Sequence, residues 1–399
     1  MKKLYYENPY IKEFKTEIID IKEKENKYHV VLEETAFFPG GGGQFQDKGF
    51  IENEEIIDVY ENEGIVYHVL NKKPIKLHKV FCKLDWNHRL DGMQQHLAQH
   101  VLSGSFFSLF NKNTFGFHLG KDVSTVDIEG PLSEENIREA EKLANDVIFK
   151  NLNVNCFFPS KQELRKLKLR RALPKTNEEI RIVEIEDLDI NACCGVHPLK
   201  TIELQMIKIK RFEKHKQGYR VEFLAGKRAI DNAFEKDNFS NNICNYLKCG
   251  EQDAINTIKK LSDNLKDLAN ENKKLIDEIG EYKVREMLDN AHKINGITIV
   301  KNIECDMDVK KASKIVNKLV ENEKVVALFA VNSSERINMI FASSKDMKNL
   351  NMGEILKDSI SLIDGKGGGS KTLAQGAGKN NGNLEATLNY AISKIEKTL

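Results

Sequence analysis

The spacing of apolar positions changes several times along this chain, and each change marks a boundary between elements. From Phe14 to about Asp85, short runs such as YHVVLEET, FIENEEIIDVY and IVYHVL are rich in β-branched and aromatic residues and are separated by turn signals. That pattern predicts β-strands in a small antiparallel barrel or sandwich. From about Trp86 to Gly226 the pattern is mixed. Leu97, Val101 and Leu102 keep helical spacing in QQHLAQHVLSG, a strand is expected near Val123 to Ile128, and an amphipathic helix from Ser133 to Leu152, with strands around Ile180 to Ile185 and Thr201 to Phe212. Ser133 supplies a hydroxyl N-cap for that helix. Helices on one face of an antiparallel sheet are the simplest arrangement.

After Arg228 the chain turns helical and polar. Ile258, Leu261, Leu265, Leu268, Asn272, Leu275, Ile279 and Tyr282 recur at alternating steps of three and four, which are heptad a and d positions. They suit a coiled coil with a second chain, or one arm of a helical hairpin whose other arm is Arg228 to Cys249. Past Gly296, ITIVKNI, VKKASKIVNKLVEN, VVALFAV, INMIFAS and MGEILKDSISLI read as strand, helix, strand, strand and helix, with GNLEATLNYAISKIE as a closing helix. The expected organisation is α+β multidomain: a small β-barrel (1–85), an α+β domain (86–227), a long helical or coiled-coil segment (228–294) and a C-terminal α/β glycine-rich domain (295–399).

Composition adds limits. With 399 residues, several domains can each bury a core without cross-links. Seven cysteines form no regular framework, the start MKKLYYENPYIKEF lacks an apolar run, and no 18 consecutive residues are apolar. A cytoplasmic protein with no membrane contact is expected. The formal net charge is +1, which argues against a generic polyanion binder. Basic residues nevertheless cluster at Lys161 to Lys175, with Arg165, Lys166, Lys168, Arg170 and Arg171, and again at Lys208 to Arg220. Either run reads as a solvated face; two runs flanking a candidate site bring nucleic acid into view.

That site is drawn from two pairs. His96 and His100 are one helical turn apart, so their imidazoles share a face. Cys193 and His197 follow in NACCGVHPLKT, with Gly195 allowing a tight turn between them. A helical histidine pair alone is often only a packed or solvated pair; the second pair shifts the reading to a metal site. Three imidazoles and a thiolate suit Zn²⁺ better than Mg²⁺ or Ca²⁺. Cys194 is an alternative thiolate, and the four-residue spacing to His197 favours Cys193.

Two glycine-rich stretches remain. Gly40 to Gly43 in TAFFPGGGGQFQDKG allow backbone amides to approach a ligand, unless they only form a hairpin loop. DGKGGGSKTLAQGAGK, from Gly365 to Gly378, reads as a loop between two helices carrying Lys366, Lys371 and Lys379. It lacks the strand, G-x-x-x-x-G-K-[ST] and helix of an ATP site, so no ATP is expected; amides and lysines there suit phosphate such as an RNA backbone.

Taken in order, GGGGQFQDKG, HLAQH, CCGVH and GKGGGSKTLAQGAG resemble the freestanding alanyl-tRNA editing proteins, in particular the long form with a synthetase-like C-terminal domain. The resemblance covers nearly the whole chain. It implies that residues 86–227 form a zinc-dependent editing domain with His96, His100, Cys193 and His197 as ligands. It implies catalytic roles for Gln44, beside Gly42 and Gly43 at the aminoacylated end of tRNA, and for Thr114, near the amino-acid side chain. It further implies tRNA contacts from the C-terminal domain, assigned to Lys366, Gly367, Gly368, Gly369 and Lys371, with Arg170 and Arg171 added from the basic run, and a homodimer paired through the helical segment. Cys194 departs from the glycine many relatives carry there. No segment resembles an aminoacylation core, so the expected activity is hydrolysis alone, of tRNA for alanine charged with serine or glycine. A pocket sized for alanine cannot exclude glycine sterically, and rejects an added hydroxyl only about a hundredfold in a comparable case, so a second hydrolytic site is needed. Threonyl-tRNA editing, which shares the two ligand pairs, and a catalytically silent zinc-containing tRNA-binding dimer are the competing readings.

Overall fold

The computed structural model describes residues 1–174 and 179–399, so Lys175 of the first basic run lies outside the described residues. The chain forms two compact units, Met1–Tyr246 and Leu247–Leu399. Its secondary structure is mixed α and β throughout. No helix among the described residues is long and apolar enough to cross a membrane.

The first unit opens with a seven-stranded antiparallel sheet, in the order Glu13–Thr16, Val80–Leu84, Gly49–Ile51, Glu54–Asn62, Ile65–Leu70, Lys27–Leu32, Ile18–Lys24. Its two edge strands are separated in the chain by Glu17 alone, so the sheet curls back on itself. Val30, Leu32, Ile51, Val66 and Leu70 fill the concave side. FIENEEIIDVY is two strands rather than one, because Glu52 takes φ 51° and turns the chain.

Phe38 to Asp47, which holds the glycine run, leaves this sheet and is fastened to the next element by a buried ion pair. Arg89, 1 % exposed, donates to the Asp47 carboxylate and to the carbonyls of Pro9 and Ala36, while Asp47 also accepts from the Phe38 amide at 2.6 Å.

Arg89 lies on the helix Trp86–Phe110, capped by Asp85 through the His88 amide. This helix is buried all round from Met93 to Phe106, so its polar residues must find partners inside. Gln94 donates to the Glu203 carbonyl at 2.7 Å, Gln95 to the Ala225 carbonyl at 2.9 Å, and Gln99 to Ser103 Oγ at 2.8 Å. Around it pack a four-stranded sheet (Thr114–Leu119, Ser124–Glu129, Gly218–Ala225, Ile207–His215), the helix Glu134–Phe149, and a three-stranded sheet (Val154–Phe157, Ile182–Ile185, Asp189–Ala192). Ser133 caps the second helix in a reciprocal box with Asn136. That helix stops at Phe149, earlier than the pattern suggests. Thr201–Leu204 is a 3-10 turn and not a strand, since its Thr201 hydroxyl bonds the Val147 carbonyl and the strand begins only at Ile207.

The second unit carries the 39-residue helix Glu251–Asp289 and a six-stranded sheet. In that sheet Ile297–Cys305 and Val325–Asn332 run parallel, joined by the crossover helix Val309–Leu319. Helices Met352–Ile360 and Leu384–Thr398 cover the opposite face through Leu356, Leu388 and Phe341. The run from Gly365 to Gly378 is no loop: Lys366–Gly369 is an edge strand paired with Leu373–Lys379. Its glycines are needed for close packing, because a Cβ on Gly369 would lie 2.2 Å from the Leu373 carbonyl and one on Gly367 2.6 Å from Gly376 Cα. Ladder bonds therefore occupy part of the backbone expected to face phosphate. Along the long helix, Ile258, Leu261, Leu265, Leu268, Leu275, Ile279 and Tyr282 are all exposed.

Candidate metal centre

The helix Trp86–Phe110 brings His96 and His100 to one face, with ring centroids 5.3 Å apart, and both are almost fully buried. Opposite them, the hairpin Ile182–Ile185/Asp189–Ala192 delivers the Cys193 to His197 turn. Arg181 holds that turn by donating from Nη1 to the Cys193 carbonyl at 3.1 Å and the Gly195 carbonyl at 2.7 Å. One ring nitrogen from each of His96, His100 and His197 and the Cys193 sulfur all lie within 4.8 Å of one another.

These atoms fit a zinc ion. Zn–S near 2.3 Å and Zn–N near 2.0–2.1 Å at a tetrahedral angle put sulfur and nitrogen about 3.5 Å apart. Cys193 Sγ lies 3.4 Å from His96 Nε2 and 3.6 Å from His197 Nε2. His100 Nε2 is buried without a hydrogen-bond partner, which suits a nitrogen that would hold a metal ion. Cys194, with its sulfur against Gly41 and Gly42, stands outside the cluster.

Outer partners fix two of the rings. His100 Nδ1 lies 3.0 Å from Asp189 Oδ2, and Asp189 is held by Arg170 Nε at 2.7 Å. His96 Nδ1 lies 3.1 Å from Gln44 Oε1, which also accepts from the Val196 amide at 2.9 Å. Each partner favours a proton on Nδ1 and leaves Nε2 for the ion. Burial works against a charged thiolate at Cys193, but His96, His197 and His100 beside it outweigh burial and hold the thiol well below its ordinary value. Burial also works against a charged His100, yet the Cys193 thiolate and Asp189 push it up to about 9, while burial takes His197 down to about 3.

The glycine run completes the site. Gly42 lies against both His96 and Cys194, and a Cβ on Gly43 would sit 2.5 Å from the Phe117 ring. Gly195 is required by proximity rather than by the turn alone: a Cβ there would lie 2.2 Å from the His96 ring. Gly195→Ala is therefore expected to displace His96 and weaken metal binding, read by zinc content against a chelator, with a stability loss of about 1–3 kcal/mol. Unchanged zinc retention would show that the turn can yield. Asp189→Asn keeps the shape of the outer contact and removes its charge, so zinc affinity should fall by roughly 10–100-fold. An affinity equal to the parent protein's would remove Asp189 from the metal's support.

Other expected site residues are placed differently. Thr114 is 2 % exposed and its hydroxyl donates to Ser103 Oγ at 2.7 Å. Arg170, expected on a solvent-facing basic run, has a side chain that is 4 % exposed and paired with Asp189, so it braces His100 from within. Arg171, Lys366, Gly367, Gly368, Gly369 and Lys371 are exposed. In the second basic run, Lys208, Arg211 and Arg220 pair with Glu141, Glu222 and Asp127, which reduces the free charge of that face. Asp189 and Arg181 went unnoticed in the sequence; an acid and a base at strand ends carry no periodic signal, and only the fold brings them to the ligands.

Two family profiles match: "Threonyl and Alanyl tRNA synthetase second additional domain" at residues 180–222 and "DHHA1 domain" at residues 295–397. The chain is 30 % identical over 387 residues to the alanyl-tRNA editing protein AlaX-L of Pyrococcus horikoshii, covering 94 % of each. It is 29 % identical to the alanine–tRNA ligase of Methanobrevibacter smithii over 98 % of this chain and 45 % of that one. With the Thermococcus kodakarensis ligase the figures are 30 % identity, 99 % and 43 %. The chain thus spans less than half the length of these ligases.

Proposed function

The chain belongs to the family of alanyl-tRNA editing proteins, and from that premise we propose that it is a trans-editing hydrolase that removes serine, or glycine, from mischarged tRNA for alanine. The observation that carries this reading is the buried His96, His100, Cys193, His197 cluster seated against Gly42 and Gln44. Water adds to the carbonyl carbon of the aminoacyl ester, the bond to the ribose oxygen breaks, and the products are the free amino acid and a ribose hydroxyl. A Zn²⁺ held by the four side chains would supply Lewis acidity to the site; activating a water as well would require one of them, such as Cys193, to yield its place.

The chain's own residues do the rest. Gln44 positions His96 through Oε1, which leaves its Nε2 amide for the substrate. Thr114, with its hydrogen donated to Ser103, keeps oxygen lone pairs that can accept from a seryl hydroxyl. Arg171, Lys366 and Lys371 are exposed cations suited to tRNA phosphates. A second copy of the chain on the heptad stripe of Glu251–Asp289 would cover its apolar residues.

The deciding experiment is release of labelled serine from seryl-tRNA for alanine by zinc-loaded protein, with alanyl-tRNA as control. Fast serine release with alanine spared is the expected result. Release from seryl-tRNA for threonine alone would move the assignment to threonyl editing, which shares the profile at 180–222. Absence of release from every substrate, with zinc bound and tRNA retained, would leave a silent RNA-binding protein.

A further inference from the structure

Ser103 stands three residues beyond His100, on the same face of the helix Trp86–Phe110 as His96 and His100. It is fully buried, and its hydroxyl oxygen takes a hydrogen from two sides, from Gln99 Nε2 at 2.8 Å and from Thr114 Oγ1 at 2.7 Å. A hydroxyl oxygen has two lone pairs, so both are spent. Gln99 and Thr114 are buried as well.

A β-bulge brings Thr114 to this place. Thr114 pairs with Ile128 and Phe117 with Val126, and Ile128 and Val126, two apart on one strand, face the same core. Residues three apart on a regular strand would face opposite sides. The register shift between Thr114 and Gly116 adds the residue that returns both Thr114 and Phe117 to the side of the helix. On that side the Phe117 ring centroid lies 6.1 Å from that of His96, and Thr114 meets Ser103. Thr114 is therefore on the metal side of the sheet, with its hydrogen already held.

That bond makes Thr114 one-sided. A free threonine hydroxyl can donate or accept; with its hydrogen on Ser103, Thr114 Oγ1 offers only lone pairs. A seryl hydroxyl can donate to them, and the methyl of alanine or the hydrogen of glycine cannot. We propose that Ser103, fixed by Gln99, is a positioning residue that sets the preference for serine by holding the Thr114 hydrogen. The inference rests on the editing reading and deepens it, because it names what orients the residue placed at the seryl hydroxyl.

The test uses the full chain with zinc loaded and compares kcat/KM for seryl-tRNA with that for alanyl- and glycyl-tRNA, all on tRNA for alanine. The variants are Ser103→Ala, Gln99→Met, Thr114→Val and the double Ser103→Ala/Thr114→Val. Ser103→Ala should lower the preference for serine roughly fivefold, the range for loss of one hydrogen bond, and Gln99→Met should lower it by less. Because Ser103 acts through Thr114, the double variant should be no worse than Thr114→Val alone. A preference unchanged in either Ser103→Ala or Gln99→Met, in a protein that releases serine, overturns the positioning role and leaves the editing reading intact. Additive loss in the double variant does the same, as does an equal fall for all three substrates with a lower thermal midpoint, which marks a purely structural contact. Absence of release by the parent protein overturns the editing reading and this role with it. Should Ser103→Ala not fold, Gln99→Met carries the same test.

Discussion

His197→Ala should lose bound zinc and serine release together while binding tRNA about as well as the parent protein. His197 is 1 % exposed, its Nε2 lies 3.6 Å from the Cys193 sulfur, and no neighbouring side chain can replace that nitrogen, because Cys194 points to the glycine run. The loss in hydrolysis should exceed the roughly 100-fold that removal of an outer-shell partner costs, since a ligand is removed outright. Three measurements on one preparation check this: metal content, release of labelled serine, and tRNA retention. Full hydrolysis by a variant shown to be metal-free would sink the metal's role in the reaction. Loss of tRNA binding as well would point to a structural ion, and the thermal midpoint would then fall with it.

Arg89→Met should destabilise the first unit by about 3–5 kcal/mol, the cost of breaking a buried pair by removing one member. Arg89 and Asp47 are 1 % and 3 % exposed, so the carboxylate left behind loses its charge partner where little of it reaches solvent, and the Pro9 and Ala36 carbonyls lose their donors. The Phe38 amide bond to Asp47 does not compensate for a buried charge. Since this pair fastens the segment that carries Gly42 to Gln44, serine release should decline under conditions where the variant still folds. Urea unfolding followed by circular dichroism gives the stability change. A shift below about 0.5 kcal/mol, the size of ordinary surface changes, would mean the pair is not holding the segment.

The elements were readable where a local pattern carries them. The histidine spacing, the Ser133 cap and the apolar strand runs of the C-terminal unit depend on neighbours within a few residues, and each is found close to its expected position. The stretch from Gly365 to Gly378 misled because glycine is read as a breaker. In the structure, Gly367 and Gly369 allow two strands to approach within distances a Cβ would forbid. Arg170 misled for a related reason: a cation in a basic run reads as solvent-facing until a partner such as Asp189, 19 residues away, is placed beside it.

The sequence by itself determined the residue types of the His/Cys cluster, their pairwise spacing, the caps and the heptad stripe, because those depend on chemistry within one or two turns of chain. Tertiary structure decided which of two adjacent cysteines joins the cluster, that Gln44 braces His96, and that Asp189 and Arg170 brace His100. Contacts between residues tens of positions apart leave no periodic trace in a single chain; burial selects them, since each polar group taken from water must find its partner inside.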